Sequence, residues 1–308
     1  MSVPLPDGVR TGVEAALEGV AGRPVRVLSA RALGGGCINP SARVETDGGE
    51  AFFVKWNERA PRGMFEAEAD GLEALRTAAR GGPLVVPEVL GSSDAAGSGT
   101  AWLLLELVPE GRPGAAYAEA LGHGLAALHR RVDGPYGWAR DNFLGSLPQA
   151  NPESDGWTAF WRDARLVPQL ARARASGHFR GAQGRALEEV VERLDRALEG
   201  EEDGGPSLVH GDLWGGNVYP GPDGRPVLID PAVYRGHGEV DLAMSELFGG
   251  FPPGWLDAYA EARPLDERYE RVRRPLYQIY YLLAHVNLFG ASYVAGTTRA
   301  ARAVLSAL

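Results

Sequence analysis

The chain tells most through what it has little of. A single cysteine, Cys37, excludes an internal disulfide framework and a cysteine-based zinc site. No run approaches the ~20 apolar residues of a membrane span. The first residues carry Asp7, Arg10 and Glu14 where a secretory leader would have an apolar core. A reducing cytoplasm is therefore the expected compartment, with no membrane partner. Positive charge is also short: 31 basic against 40 acidic residues give a formal charge of −9, which argues against a nucleic-acid partner. The sharpest scarcity is lysine, because Lys55 is the only one among those 31 basic residues.

Arginine offers a wide planar fork, whereas lysine offers a compact charge on a flexible stem, suited to one phosphate oxygen. A chain that uses arginine everywhere else points to Lys55 as a place where the point charge is needed. Lys55 lies near the end of Ala51-Phe52-Phe53-Val54-Lys55-Trp56, a short apolar run that reads as a strand. Upstream lies Gly34-Gly35-Gly36-Cys37-Ile38-Asn39. Backbone N–H groups there can approach phosphates closely, since glycine has no side chain to interfere. A strand ending in lysine after a glycine-rich turn is how kinases hold the phosphates of ATP. Cys37, at the tip of that turn, reads either as an inert small residue or as a redox-sensitive thiol. Oxidised, such a thiol would block the nucleotide or link two chains.

The 308 residues suffice for one large domain or two smaller ones, and 44% apolar residues are ordinary for a globular protein. The first third reads mainly as strands, at 25–33, 42–46, 51–56, 85–90 and 102–108, with a helix at 62–79 and a loop at 91–100. Beyond 111 the pattern turns helical, through 117–128, 187–198, 240–248 and 269–289. Short apolar runs lie at 207–209 and 226–229. The expected plan is α+β and bilobal. A nucleotide-binding lobe of antiparallel strands occupies residues 1–108, a mainly helical catalytic and substrate lobe occupies 109–308, and a cleft lies between them.

The strongest motif is His210-Gly211-Asp212-Leu213-Trp214-Gly215-Gly216-Asn217, followed by Ile229-Asp230-Pro231. Asp212 and Asn217 have the Asp-x-x-x-x-Asn spacing of a kinase catalytic loop, and Asp230 ends an apolar strand where a metal-binding carboxylate would sit. Phosphoryl transfer asks for charge neutralisation and alignment. Mg²⁺ takes oxygen ligands from one or two protein groups besides phosphates and waters. Asp230 and the Asn217 amide oxygen fit that role, while Asp212 can orient an acceptor hydroxyl and take its proton late. His210 reads as a brace for the loop. Glu68, thirteen positions after Lys55 on the expected helix, is the preferred partner of the ammonium. Leu72 and Leu75 place it beside the apolar stripe, unlike its competitor Glu66.

These residues resemble the protein-kinase-like superfamily, on the branch of aminoglycoside and choline kinases. His-Gly-Asp stands for His-Arg-Asp and Ile-Asp-Pro for Asp-Phe-Gly, with no Ala-Pro-Glu and no room for a long activation loop. Further segments resemble the fructosamine (ketosamine) kinases: Gly35–Asn39, Met64–Glu68, Tyr136-Gly137-Trp138, Asp141-Asn142, Gly145–Gln149, Phe160-Trp161-Arg162, His210–Asn217, Ile229–Tyr234, Gly236–Met244, Glu246–Phe251, Leu276-Tyr277-Gln278 and Asn287–Gly290. Gly215, where many members have serine, and Gly238, where a charged residue is usual, are the departures.

The resemblance implies ATP- and Mg²⁺-dependent phosphorylation of the sugar 3-hydroxyl of ketosamines, carried by small amines or glycated proteins. The phosphorylated adduct then breaks down and frees the amine. It further implies Asp212 as base, Asn217 and Asp230 as metal ligands, Lys55 on the phosphates and Glu68 steadying it. Adenine would meet the main chain of Glu106-Leu107-Val108. Trp214 would stack on the sugar or fill the core. Asp241 would cap a helix beginning near Leu242 and brace the catalytic loop, and Gly236-His237 would border the acceptor pocket or form a tight turn. The expected state is a monomer or a redox-linked dimer. The alternatives are a kinase for an aminoglycoside or choline-like amine, and a pseudokinase that only binds nucleotide. If the lone lysine is there for its geometry, the charge-preserving Lys55→Arg should weaken ATP turnover severely. Normal turnover would mean the residue reflects composition alone.

Overall fold

The computed structural model describes residues 2–34, 39–94, 99–201 and 204–308. The chain opens with helix α1 (Asp7–Ala21), whose buried Val9, Val13 and Leu17 follow helical spacing. That helix corrects the strand-dominated expectation for the first third. Strands β1 (Val27–Ala32), β2 (Ser41–Thr46) and β3 (Ala51–Asn57) follow, then α2 (Met64–Ala78), β4 (Val89–Ser93) and β5 (Ala101–Glu106). The strands form one antiparallel sheet of order β1-β2-β3-β5-β4.

Both faces of this sheet are covered, so its central strands are apolar on both sides. Trp102 and Leu104 face α1, while Leu103 and Leu105 face α2. Lys55 pairs with Ser41 on one side and Leu103 on the other. By the period-two alternation of a strand it shares a face with Phe53, turned toward α2, while Val54 turns toward α1.

One expected strand is displaced. Of residues 85–90 only Val89 and Leu90 join the sheet, as the start of β4. Val85 instead makes a parallel bridge to Val227, with its N–H donating to the Pro226 carbonyl (2.8 Å) and its carbonyl accepting from Leu228 N (2.9 Å). Pro87, with no N–H to give a ladder, separates this bridge from β4. The latter runs to Ser93, into the expected loop.

The helical part contains α3 (Tyr117–Leu128) and the hairpin β6 (Asn142–Leu144) with β7 (Leu147–Gln149). Helices α4 (Trp157–Phe160) and α5 (Val167–Ala175) are joined by a π-helical segment, and α6 (Ala182–Glu192) and α7 (Leu194–Ala197) follow. The expected single helix at 187–198 is thus broken at Arg193. Strand β8 (Ser207–Val209) leads into the catalytic loop. Then come β9 (Val218–Pro220), β10 (Pro226–Leu228) and β11 (Tyr234–Gly236), with β9 paired to β10 and β11 to β8. Helices α8 (Glu239–Phe248), α9 (Trp255–Ala262), α10 (Arg274–Phe289) and α11 (Val294–Ala307) complete the chain. No helix among the described residues is long and apolar enough to cross a membrane.

The sheet and the helices share a core. Phe65, Leu72 and Leu75 of α2 meet Leu103 and Leu105 of β5 in one buried cluster. Leu121 and Leu125 of α3, Leu213 of the catalytic loop and Leu228 of β10 belong to the same cluster. Apolar burial therefore ties the position of α2 to that of the catalytic loop. Close packing of α3 on α9 depends on Gly122, where a Cβ would fall 2.2 Å from the Trp255 carbonyl oxygen and 2.7 Å from Tyr259 N. Gly122→Ala should lower stability by roughly 1–2 kcal/mol, the strain of overpacking outweighing the gain in helix propensity. A urea midpoint that does not fall would contradict this packing.

Candidate active site

Three chain segments bring charge to one cleft. From β3, the Lys55 ammonium is buried, 5% accessible. It forms an ion pair with Glu68 of α2 and lies 2.8 Å from Asp230 Oδ1. Glu68 shares a helix face with Phe65 and Leu72, whereas Glu66 is exposed and faces Arg140. The periodic argument for Glu68 over Glu66 thus matches the geometry. Arg140 also reaches Asp70 (2.8 Å), so α2 is tethered to the helical part by its outer face while its inner face holds Lys55.

Asp230 follows β10 by two residues, with a left-handed backbone (φ 54°) that asparagine and aspartate tolerate better than other side chains. Its side chain is 42% accessible and opens into the cleft. The segment beyond it is short and fixed. Buried Asn142 donates to the Val233 carbonyl (2.8 Å). Buried Gln149 donates to the Ala232 carbonyl (3.2 Å) and to Asn142 (2.7 Å), and it accepts from the Tyr280 hydroxyl (2.5 Å). Gly71 of α2 packs against the Val233 side chain, with 3.2 Å left for a Cβ.

The catalytic loop hangs on Asp241. Its carboxylate accepts from the backbone N–H of His210 (2.6 Å) and Gly211 (2.8 Å), and from His129 Nε2 (3.0 Å). Asp241 lies in the first turn of α8, which begins at Glu239; the N-cap is Gly238, and the Glu239 N–H donates to His237 Nδ1 (3.4 Å), not to Asp241. Of the two roles expected for it, bracing the loop is what the geometry shows and capping is not. His210 Nε2–H donates to the Ile229 carbonyl (2.9 Å), which leaves Nδ1 to accept from Asp212 N (3.3 Å). Burial holds the pKa of this imidazole below its usual value, so it is a neutral brace. At Gly211 (φ 81°) a Cβ would lie 2.1 Å from the Ala232 carbonyl oxygen, which explains glycine between histidine and aspartate. The Gly211 carbonyl accepts from the Tyr281 hydroxyl (2.9 Å).

Asn217 Nδ2 donates to the Asp212 carbonyl oxygen (2.8 Å) and more weakly to Asp212 Oδ2 (3.3 Å) and the Asp230 carbonyl oxygen (3.4 Å). Its amide oxygen accepts no hydrogen bond from the described residues and stays free for a cation. Electrostatics favour one. Glu68 and Asp230 share a single ammonium, and the Asp212 carboxylate lies beside Asp230 with no cation of its own. Burial, then the Asp230 charge, pushes Asp212 up to about 7, against the hydrogen bond from Asn217. Burial likewise pushes Glu68 up, against the pull of Lys55. Burial also opposes charge on Lys55 and Asp230, yet their mutual attraction wins. The ammonium, drawn also by Glu68, sits above its ordinary pKa and Asp230 below its own. This surplus of carboxylate, with a free amide oxygen beside it, fits a divalent metal held by Asp230 and Asn217.

Other expected residues are placed as follows. Gly34 and Asn39 flank the glycine turn, and Asn39 Oδ1 accepts from Asn57 Nδ2 (2.8 Å), just past Lys55. Gly35, Gly36, Cys37 and Ile38 lie outside the described residues. In the segment Glu106-Leu107-Val108, the Val108 carbonyl is taken by the Tyr219 hydroxyl (2.9 Å). The Val108 N–H has no partner among the described residues and remains available to a base. Trp214 is half-buried, with one side on the helical core and its ring folded over Gly216. His237 lies on the side of β11 away from Asp212. Register pairs Tyr234 with Val209 and Gly236 with Ser207, so β11 carries His237 away from Asp212. There it pairs with Glu201 (2.8 Å) beside Arg273 and Glu239, and its carbonyl accepts from Val240 N (3.0 Å), the tight turn that is one of its two expected readings. His129, Tyr280 and Tyr281 have roles that no motif announced, and Asn142 and Gln149 lie within quoted motifs that assigned them none.

The sequence model of the fructosamine kinase family matches residues 10–307. A probable ketoamine kinase of Synechocystis is 40% identical over 274 residues, covering 88% of each chain. A chloroplastic protein-ribulosamine 3-kinase of Arabidopsis thaliana is 36% identical, covering 88% of this chain and 81% of that one. The crystal structure of a putative fructosamine-3-kinase from Thermobifida fusca is similar over 96% of this chain and 98% of that one, with TM-score 0.83 and 37% identity. A hygromycin-bound aminoglycoside phosphotransferase, at TM-score 0.57 and 16% identity, shares the fold alone.

With folded pKa raised to about 7, Asp212 destabilises the metal-free protein progressively as pH rises from its ordinary value near 4 through 7. In chelator, Asp212→Asn should therefore raise Tm at pH 8 and leave it nearly unchanged at pH 4.5. Equal Tm differences at both values would contradict a partly buried, charge-stressed Asp212.

Proposed function

From the premise that this chain belongs to the fructosamine kinase family, we propose that it transfers the γ-phosphoryl group of ATP to the sugar 3-hydroxyl of ketosamines, on small amines or on glycated proteins. The carrying observation is the convergence of Lys55, Asp230, Asn217 and Asp212 in one cleft, within a chain matched by the family along nearly its whole length. The nucleotide would lie between the sheet part, residues 1–108, and the helical part, 109–308, with adenine at the Val108 N–H and the phosphates at the Lys55 ammonium.

Each side chain then has a task. The Lys55 ammonium has three donors. Two point to Glu68 and Asp230, which leaves one for a phosphate oxygen. Asp230 and the Asn217 oxygen would hold Mg²⁺, which supplies charge neutralisation on the phosphates. Asp212 accepts the hydrogen bond of the acceptor hydroxyl, aligns it, and takes its proton as the new P–O bond forms. Asp241, His129 and Tyr281 fix the loop so that Asp212 reaches that position without reorganisation. The phosphate placed on the sugar would destabilise the adduct and release the amine.

A panel of ATP-dependent assays tests this reading. Turnover is expected on ribulosamine or fructosamine derivatives of lysine. Turnover on aminoglycosides alone would refute it, and intact ATP binding without turnover would favour a pseudokinase. Asp212→Asn should lower kcat by at least the ~10²–10⁴-fold typical of a lost general base while leaving ATP affinity nearly intact. Asp230→Ala should lose Mg-nucleotide binding, read by titration calorimetry. Wild-type turnover by the Asp212 variant would mean that the base lies elsewhere.

A further inference from the structure

Two phenylalanines, Phe248 and Phe289, are 41% and 52% accessible. Single exposed apolar residues need no explanation, but clustered ones do. These two belong to one cluster of rings. His285 lies 4.6 Å from Phe248, 4.9 Å from Tyr293 and 5.5 Å from Phe289, between ring centroids.

The cluster is anchored to the catalytic loop on both sides of Asp212. His285 Nδ1–H donates to the carbonyl of Tyr281 (2.8 Å), one turn earlier on α10, and the Tyr281 hydroxyl holds the Gly211 carbonyl. On the other side, Phe248 is followed by Gly249 and Gly250. These pack so closely on Gly215 that a Cβ there would fall 2.7 Å from the Gly249 carbonyl oxygen. The rings therefore border the loop on its helical flank, whereas Lys55 and the sheet lie on the nucleotide flank. Phe248 and Tyr293, but not Phe289 or His285, also wall a groove of ≈ 510 Å³ with Leu247, Leu282, Gln278 and Arg299, room for an alkyl chain beyond the ammonium.

The chemistry of a ketosamine suits this surface. Its nitrogen is a secondary amine, protonated near neutral pH, and carries a substituent that must leave the sugar pocket somewhere. Ring faces attract an ammonium and bury its attached methylenes. Burial keeps the His285 pKa low, so the ring at the centre does not repel that cation. We propose that Phe248, Phe289 and Tyr293, packed around His285, form the subsite for the amine substituent, and that they select ketosamines whose substituent is apolar. This rests on the ketosamine kinase reading above.

The test compares kcat/KM for the ribulosamines of hexylamine and methylamine. Wild-type protein should favour the hexylamine adduct by about tenfold, the equivalent of burying about two methylenes. Phe289→Ala, at a half-exposed position, should reduce that ratio to within about twofold, and Phe289→Leu should leave it intermediate. Val20→Ala, at an exposed position on α1, should keep the wild-type ratio. A flat ratio in wild type, or one that survives Phe289→Ala, overturns the subsite while the kinase reading stands. No turnover on either adduct overturns both.

Discussion

Everything in this cleft depends on one buried ammonium among carboxylates. An unpaired charge at the depth of Lys55 would cost several kcal/mol, so the fold must bring partners to it. It brings Glu68 from α2 and Asp230 from the end of a strand in the helical part. The pairing is therefore also a joint between sheet and helices. It works because the apolar core already sets the two at a fixed distance: α2 packs on β5 with one part of its stripe and on the Val233 segment at Gly71. Charge and core specify the same arrangement, and removing either would leave the other strained.

A second buried carboxylate does for the catalytic loop what Glu68 does for Lys55. Asp241 gathers two loop N–H groups and His129, and the Tyr281 hydroxyl holds the next carbonyl. With every polar group satisfied, such a network makes the loop rigid. The hairpin residues Asn142 and Gln149 extend this restraint to the carbonyls after Asp230. Protein kinases with a long segment there can order and disorder it. Here Asp230 reaches β11 within four residues and α8 soon after, so the Asp230 and Asp212 carboxylates are held in place by the fold itself.

The sequence made the reacting groups legible because their signals are local. Asp212 and Asn217 share a spacing, Asp230 and Lys55 end apolar runs, and helical periodicity singles out Glu68. The supporting groups were silent because their partners are distant: Tyr280 meets Gln149 across 131 positions and His129 meets Asp241 across 112. The place of His237 was not legible, because nothing local gives strand direction, and the antiparallel register of β11 on β8 carries it away from Asp212. Val85 misled because an apolar run can bridge an outlying strand rather than join the sheet, with Pro87 forcing the break. Helix α1 carries Val9, Val13 and Leu17 at helical spacing, a weaker signal than the strand pattern that follows.

That the chain has one lysine makes the central pairing directly observable. Selective ¹⁵N labelling of lysine side chains yields a single Nζ resonance. If the ammonium is held by Glu68 and Asp230, its pKa lies above the ordinary value of about 10.4. The signal should then keep its ammonium shift to about pH 11. A resonance that titrates at the ordinary value, as for a solvated lysine, would contradict the account at its root.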